Sequence, residues 1–109
     1  MKLQLVVSNY VDNERIAIGT ICQTEYGTEP YSHITVNLVD EVMPFDTEEV
    51  AYGFVDTNNW EAGEEFIKKH ELGEDTGFRG HSGFCEYPLY RFDKKKIEQY
   101  ARSNKELEL

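Results

Sequence analysis

Nowhere in this chain do apolar residues run on for the ~18 positions that a bilayer-spanning helix needs, so no membrane role is expected. The opening MKLQLVVSNY is too short and too alternating to serve as a secretory signal, and the expected location is cytoplasmic. Cysteine is scarce: Cys22 and Cys85 stand far apart with no C-x-x-C, which excludes a disulfide framework and a zinc knuckle and leaves both as small, half-buried apolar residues. His33, His70 and His81 fall in three separate segments, and the carboxylates lack the D-x-D-x-D-G pattern of a calcium loop. No metal and no cofactor is expected. Internal repeats and low-complexity linkers are missing too, which points to one domain over residues 1–109. No complete catalytic or nucleotide motif occurs, so an enzyme is the less favoured class.

What the chain has in excess is negative charge, and that charge is localised. The formal net charge is −10. Between Asp40 and Asp75 stand twelve acids against two bases, Lys68 and Lys69, whereas Arg91 to Lys105 carries six bases and two acids. This asymmetry disfavours nucleic-acid phosphates as a direct ligand of the acidic face and favours basic partners, although solvated charge also simply keeps a small domain soluble. Aromatic residues make up 13% of the chain, so bulky rings are expected to fill its core.

Residues 1–56 read as mainly β. Leu3, Leu5 and Val7 alternate with polar neighbours, Asp12 and Asn13 supply a turn, and Ile16, Ile18, Thr20 and Ile21 form the second strand of a hairpin. After a turn at Glu25, Tyr26 and Gly27, the run Ser32–Val39 alternates cleanly. Ile34, Val36 and Leu38 should share one face and His33 the exposed one, as a strand residue and not a ligand. The acidic stretch Asp40–Glu49, with Met43, Pro44 and Phe45 in its middle, is expected to be a loop pinned by one apolar anchor or a short helical turn, followed by a short strand, Ala51–Val55. The spacing of Trp60, Phe66, Ile67 and Leu72 predicts a helix over 58–72, capped by Asn58 and stopped at Gly73.

Residues 73–92 read as a glycine-rich loop plus an edge strand, because Pro88 cannot donate to a sheet ladder. Asp93 caps a short helix over 93–102, whose first turn places Lys94, Lys95 and Lys96 at the positive end of the helix dipole. Internal acids or an anionic partner must offset that repulsion. The tail from Ser103 is expected to fray. The fold class expected is α+β, an antiparallel meander of four to five strands with one main helix packed on the sheet and a short C-terminal helix.

Two chemical candidates arise in the glycine-rich segment. Arg79, Gly80, His81, Ser82 and Gly83 resemble an anion-binding loop in composition, but lack the Gly-Lys-Ser/Thr ending and the strand-to-helix setting of a phosphate loop. Cys85 with His81 has the residue types of a thiolate and its base, without an identifiable group to orient the histidine.

Asp56-Thr-Asn-Asn59, Trp60 and the run G-x-x-G-x-S-G-F-C-x-Y-P-L-Y-x-F-D from Gly77 to Asp93 resemble the signature of a family of small acidic proteins from bacteria, phages and mobile elements, known as a domain of unknown function. The resemblance implies a compact α+β domain in a mobile-element setting, with no activity, cofactor or binding residue attached. Three functions stay open. The first is an acidic module, an inhibitor or nucleic-acid mimic, that docks a basic protein surface such as that of a nucleic-acid-binding protein. It would use Glu61, Glu64 and Glu65 on the helix with Asp46, Glu48 and Glu49 in the loop. The second is a small-anion or nucleotide binder using Gly77–Gly83, and the third a Cys/His enzyme.

Overall fold

The computed structural model describes residues 1–109 and contains, in order, β1 (Lys2–Asn9), β2 (Ile16–Thr24), β3 (Gly27–His33), β4 (Thr35–Val36), β5 (Val50–Val55), α1 (Gly63–Lys69), β6 (Gly73–Ser82), β7 (Cys85–Asp93), α2 (Lys94–Arg102) and β8 (Leu107–Glu108). Strand makes up 49% of the chain and helix 15%. The strands form two antiparallel sheets of four, ordered β3-β2-β1-β8 and β4-β5-β7-β6. The expected α+β meander on a single sheet with one main helix is therefore incorrect: the protein is mostly β, with two sheets and two short helices. No helix is long and apolar enough to cross a membrane.

The hairpin of β1 and β2 forms as its alternation requires, burying Leu3, Leu5, Ile16, Ile18 and Thr20 on one face. The next run departs from expectation. Ile34 and Thr35 are consecutive and both buried, because the chain passes from one sheet to the other between them. The Ile34 amide donates to the Ile18 carbonyl at 2.9 Å, while its carbonyl accepts from the Asp56 amide, just past β5, at 2.8 Å. A two-residue period cannot announce such a crossing, since both sheets ask for the same pattern.

The second sheet carries apolar side chains on both faces. Ala51, Val55, Tyr90 and Phe92 join Leu3, Leu5, Ile16 and Ile18 with Phe66, Ile67 and Leu72, Ile97 and Leu107 in the main core. Phe54, Tyr87 and Leu89, displaced by an odd number of residues, point to the other face and make a smaller cluster with Leu38. Val36, Met43, Tyr52 and Cys85 pack around it.

Three further expectations need correction. Gly73–Ser82 is a strand, and β7 lies inside its sheet with β5 on one side and β6 on the other, so it is no edge. Pro88 is tolerated because pairing with β5 ends at Phe54 and Leu89, leaving Pro88 opposite only Arg79 of β6. The helix predicted over 58–72 begins at Gly63, and Asn58 does not cap it. Instead the buried Asp56 carboxylate accepts from the backbone amide of Asn59 at 3.3 Å and from its side-chain amide at 2.9 Å, and Trp60 N–H reaches the Asp56 carbonyl at 3.0 Å. These bonds commit the residues before the helix to turns.

The helix stop is also displaced, to Glu71, whose φ of 53° is left-handed. Glu71 N–H bonds the Lys68 carbonyl and Leu72 N–H the Ile67 carbonyl, a Schellman closure with Leu72 and Ile67 buried beneath it. Gly73 serves a different end. A Cβ there would lie 2.8 Å from the Arg91 carbonyl, so β6 approaches β7 this closely only without a side chain.

At the C-terminus Asp93 caps α2 as expected, its Oδ1 accepting from Lys96 N–H at 3.2 Å. The tail does not fray. β8 pairs with β1, Leu107 is buried, and His70 Nε2 hydrogen-bonds the Glu108 carbonyl at 2.6 Å.

Candidate interaction surface

The glycine-rich segment is organised by a bulge. Asp75 faces Tyr90 and Arg79 faces Pro88, so Thr76, Gly77 and Phe78 stand out of the ladder. Asp75 Oδ1 accepts the Gly77 amide at 2.8 Å, Thr76 Oγ1 accepts the Phe78 amide at 3.2 Å and donates to the Leu89 carbonyl at 2.8 Å, and Gly77 takes the positive φ the turn needs. Arg79 closes the bulge with a two-pronged contact, 2.9 and 3.0 Å to the two Asp75 oxygens. That hydrogen-bonded fork holds the Asp75 carboxyl below its ordinary value and raises the guanidinium of Arg79 further.

The five residues singled out for anion binding are consequently not brought together. Arg79 is engaged by Asp75, Gly80 is buried, and the His81 amide donates to Glu41 Oε1 at 3.3 Å. Gly80 and Ser82 pair with Tyr87 and Cys85, on the face opposite Arg79 and His81. A Cβ on Gly80 would lie 2.5 Å from Phe54 Cε1, so this glycine makes room for a ring and not for a ligand.

The same alternation separates Cys85 from His81. His81 is cross-strand from Glu86, with Nε2 3.1 Å from Glu86 Oε2. Cys85 lies on the other face, packed against the small cluster, where burial, with the neighbouring thiol second, pushes the Tyr87 hydroxyl above its ordinary value. No group of three metal-ligating side chains occurs.

The six acids divide by what they touch. Glu64 is half-buried and accepts the Tyr90 hydroxyl at 2.6 Å; burial first, and this carboxylate second, push that phenol well up. Asp46 Oδ1 accepts the Tyr52 amide at 3.0 Å, and Glu49 lies 3.9 Å from Lys95 Nζ. Glu48, Glu61 and Glu65 are exposed and form no ion pair: the ion pairs of the protein engage Glu49, Glu74, Asp75, Glu86, Glu106 and Glu108. No hydrogen bond or ion pair joins the loop acids to the helix acids. Two of the three clustered lysines have internal contacts, Lys95 with Glu49 and Lys96 Nζ with the Glu71 carbonyl at 3.1 Å.

The loop between β4 and β5 is firmly held. Arg15 donates to the Leu38 carbonyl at 2.8 Å and the Glu41 carbonyl at 2.5 Å, Met43 packs on the small cluster, and Thr47 Oγ1 accepts the Glu49 and Val50 amides. Met43 is thus the apolar anchor expected of this loop, whereas Phe45 is 95% and Val42 92% exposed. Sequence reasoning missed these two as surface features. The available signal was three apolar residues in a loop with room for one anchor.

A shallow groove of about 670 Å³ is lined by Glu49, Glu71, Glu74 and Asp93 together with Lys68, Arg91 and Lys95. With both signs of charge interleaved, it selects no ion of one sign.

A family model described as a domain of unknown function, DUF4313, matches residues 4–108. No curated protein and no solved structure was found to be similar to the chain.

Proposed function

We propose that this chain, which belongs to the DUF4313 family, is a small acidic interaction module that docks a basic surface of another protein. The observation that carries the reading is that Glu48, Glu61 and Glu65 are exposed and unpaired in a molecule of net charge −10, although lysines and arginines elsewhere in the fold do find partners. Exposed carboxylates held on a folded surface, their charge standing in for that of phosphates, suit a nucleic-acid-binding protein as the partner, and such an inhibitor or mimic acts in the cytoplasm, in a bacterial, phage or mobile-element setting. The two other readings gain less support. Arg79 is occupied by Asp75, and Cys85 and His81 are on opposite faces.

The test is retention from a bacterial lysate by the native protein and by a Glu48→Gln, Glu61→Gln, Glu65→Gln variant, with salt elution and identification by mass spectrometry. Glu64 is left intact because it bonds Tyr90. A basic protein held by the native form alone and released by salt is the expected result. Equal retention by both forms, or elution that ignores salt, would overturn the proposal.

A further inference from the structure

The strongest unexplained feature outside the acidic residues is apolar. Val42 and Phe45 are 92% and 95% exposed on a loop that is fixed at both ends and in its middle. Single exposed hydrophobics are ordinary on a protein surface, but these have company. Val39 opens the same loop at 55% exposure, and Phe84 stands fully exposed at the tip of the β6–β7 hairpin. The Glu41 side chain ties that hairpin to the loop through the His81 amide. The loop backbone is already ordered, so a partner would not have to supply the entropy of ordering it.

We infer that the loop Asp40–Glu49 is a docking surface in which Phe45 and Val42 are the anchors, and that its occupant is a basic protein segment carrying an aromatic or aliphatic side chain among lysines or arginines. Charge complementarity selects this occupant. The loop holds Asp40, Glu41, Asp46, Glu48 and Glu49 and no base; Arg15 bonds only the Leu38 and Glu41 backbone carbonyls there, and the one ion pair to these carboxylates is that of Lys95 with Glu49. A second copy of the chain would set like charges against each other across the contact. A membrane surface rich in anionic lipid would be repelled for the same reason. The inference rests on the acidic-module reading and deepens it: carboxylates steer and orient the partner, while the two apolar side chains supply the desolvated centre that charged rims do not.

The test is a titration of the full-length protein, followed by amide NMR, with three probes: a lysine-rich peptide bearing a leucine and tryptophan face, the same peptide with those residues replaced by serine, and inorganic phosphate. The amphipathic peptide is expected to shift the amides of Val42, Phe45 and Phe84. Phe45→Ser is expected to weaken it at least about tenfold, as loss of a central anchor does. Because Phe45 is 95% exposed, that variant folds as the parent does, and an unchanged melting curve checks this. If the amphipathic and serine peptides bind equally and Phe45→Ser changes nothing, the apolar anchor is refuted while the acidic module survives. Shifts confined to Glu61 and Glu65 have the same meaning. Silence with both peptides overturns the two readings together, and concentration-dependent self-association in sedimentation would replace the basic segment with a second copy.

Discussion

Gly80 gives the sharpest contrast between a glycine kept for a ligand and one kept for packing. Replacing it by alanine places a methyl carbon 2.5 Å from Cε1 and 2.9 Å from Cζ of Phe54, and 3.0 Å from Leu38 Cδ1, where ordinary contact begins at 3.4 Å. The ring must retreat by nearly an ångström, but Phe54 is 97% buried against Leu38, Tyr87 and Leu89 and has nowhere to go without moving them. Overpacking of this kind costs roughly 1–3 kcal/mol, and with two atoms of one ring in collision the expected loss is about 2–3 kcal/mol, or about 8–12 °C in Tm. Phe54→Leu removes the colliding atoms at a cost of roughly 1 kcal/mol by itself. The double variant should then be at least about 1 kcal/mol more stable than the sum of the single changes. Chemical denaturation of the four proteins measures the cycle. A Gly80→Ala protein that melts within about 1 °C of the parent, or strict additivity in the double variant, would refute the packing account. Unchanged stability with lost binding of an added phosphate compound would return the glycine to a ligand.

Three other outcomes follow from the same geometry. Glu71→Gly should stabilise the protein by up to about 1 kcal/mol in thermal unfolding, because a left-handed L-residue closes α1 where glycine carries no Cβ penalty; Asn104→Gly, at the matching position of α2, should gain less, since asparagine tolerates that conformation. Leu107→Ala should cost about 2–5 kcal/mol in urea denaturation, as a core leucine does, whereas a frayed tail would give no measurable change. Tyr10, Tyr87 and Tyr90 all have hydroxyls raised by burial, with Glu64 adding to the effect at Tyr90. The folded state therefore holds phenolic protons that the unfolded chain releases near pH 10, so this part of the stability is complete below that pH and declines as pH rises through it. Denaturation midpoints measured from about pH 8 to about pH 11 should fall, and Tyr90→Phe should flatten the fall; a level profile would contradict the buried environment of these rings.

The sequence by itself determined those features whose causes are local. The β1–β2 hairpin follows from alternation around Asp12 and Asn13, the start of α2 from Asp93 and the Lys96 amide its carboxylate accepts, and the exposure of His33 from its place in the pattern. Membership of a family known only as a domain of unknown function was legible in Asp56–Trp60 and Gly77–Asp93. Tertiary structure decided everything that depends on partners distant in the chain. Two sheets and one sheet demand the same two-residue period, so the crossing at Ile34 left no mark that alternation could reveal. Glycines at 73 and 80 read as loop residues because close approach of a neighbouring strand or of Phe54 is invisible until that neighbour is in place. Asp56 shortened α1 by turning inward to hold Asn59, and Leu107 drew a polar tail into the core by pairing with the other end of the chain. Burial decided the candidate surface as well. Of the three apolar residues in the acidic loop, only Met43 meets the cluster beneath it, and Val42 and Phe45 face water because the sheet offers one seat there.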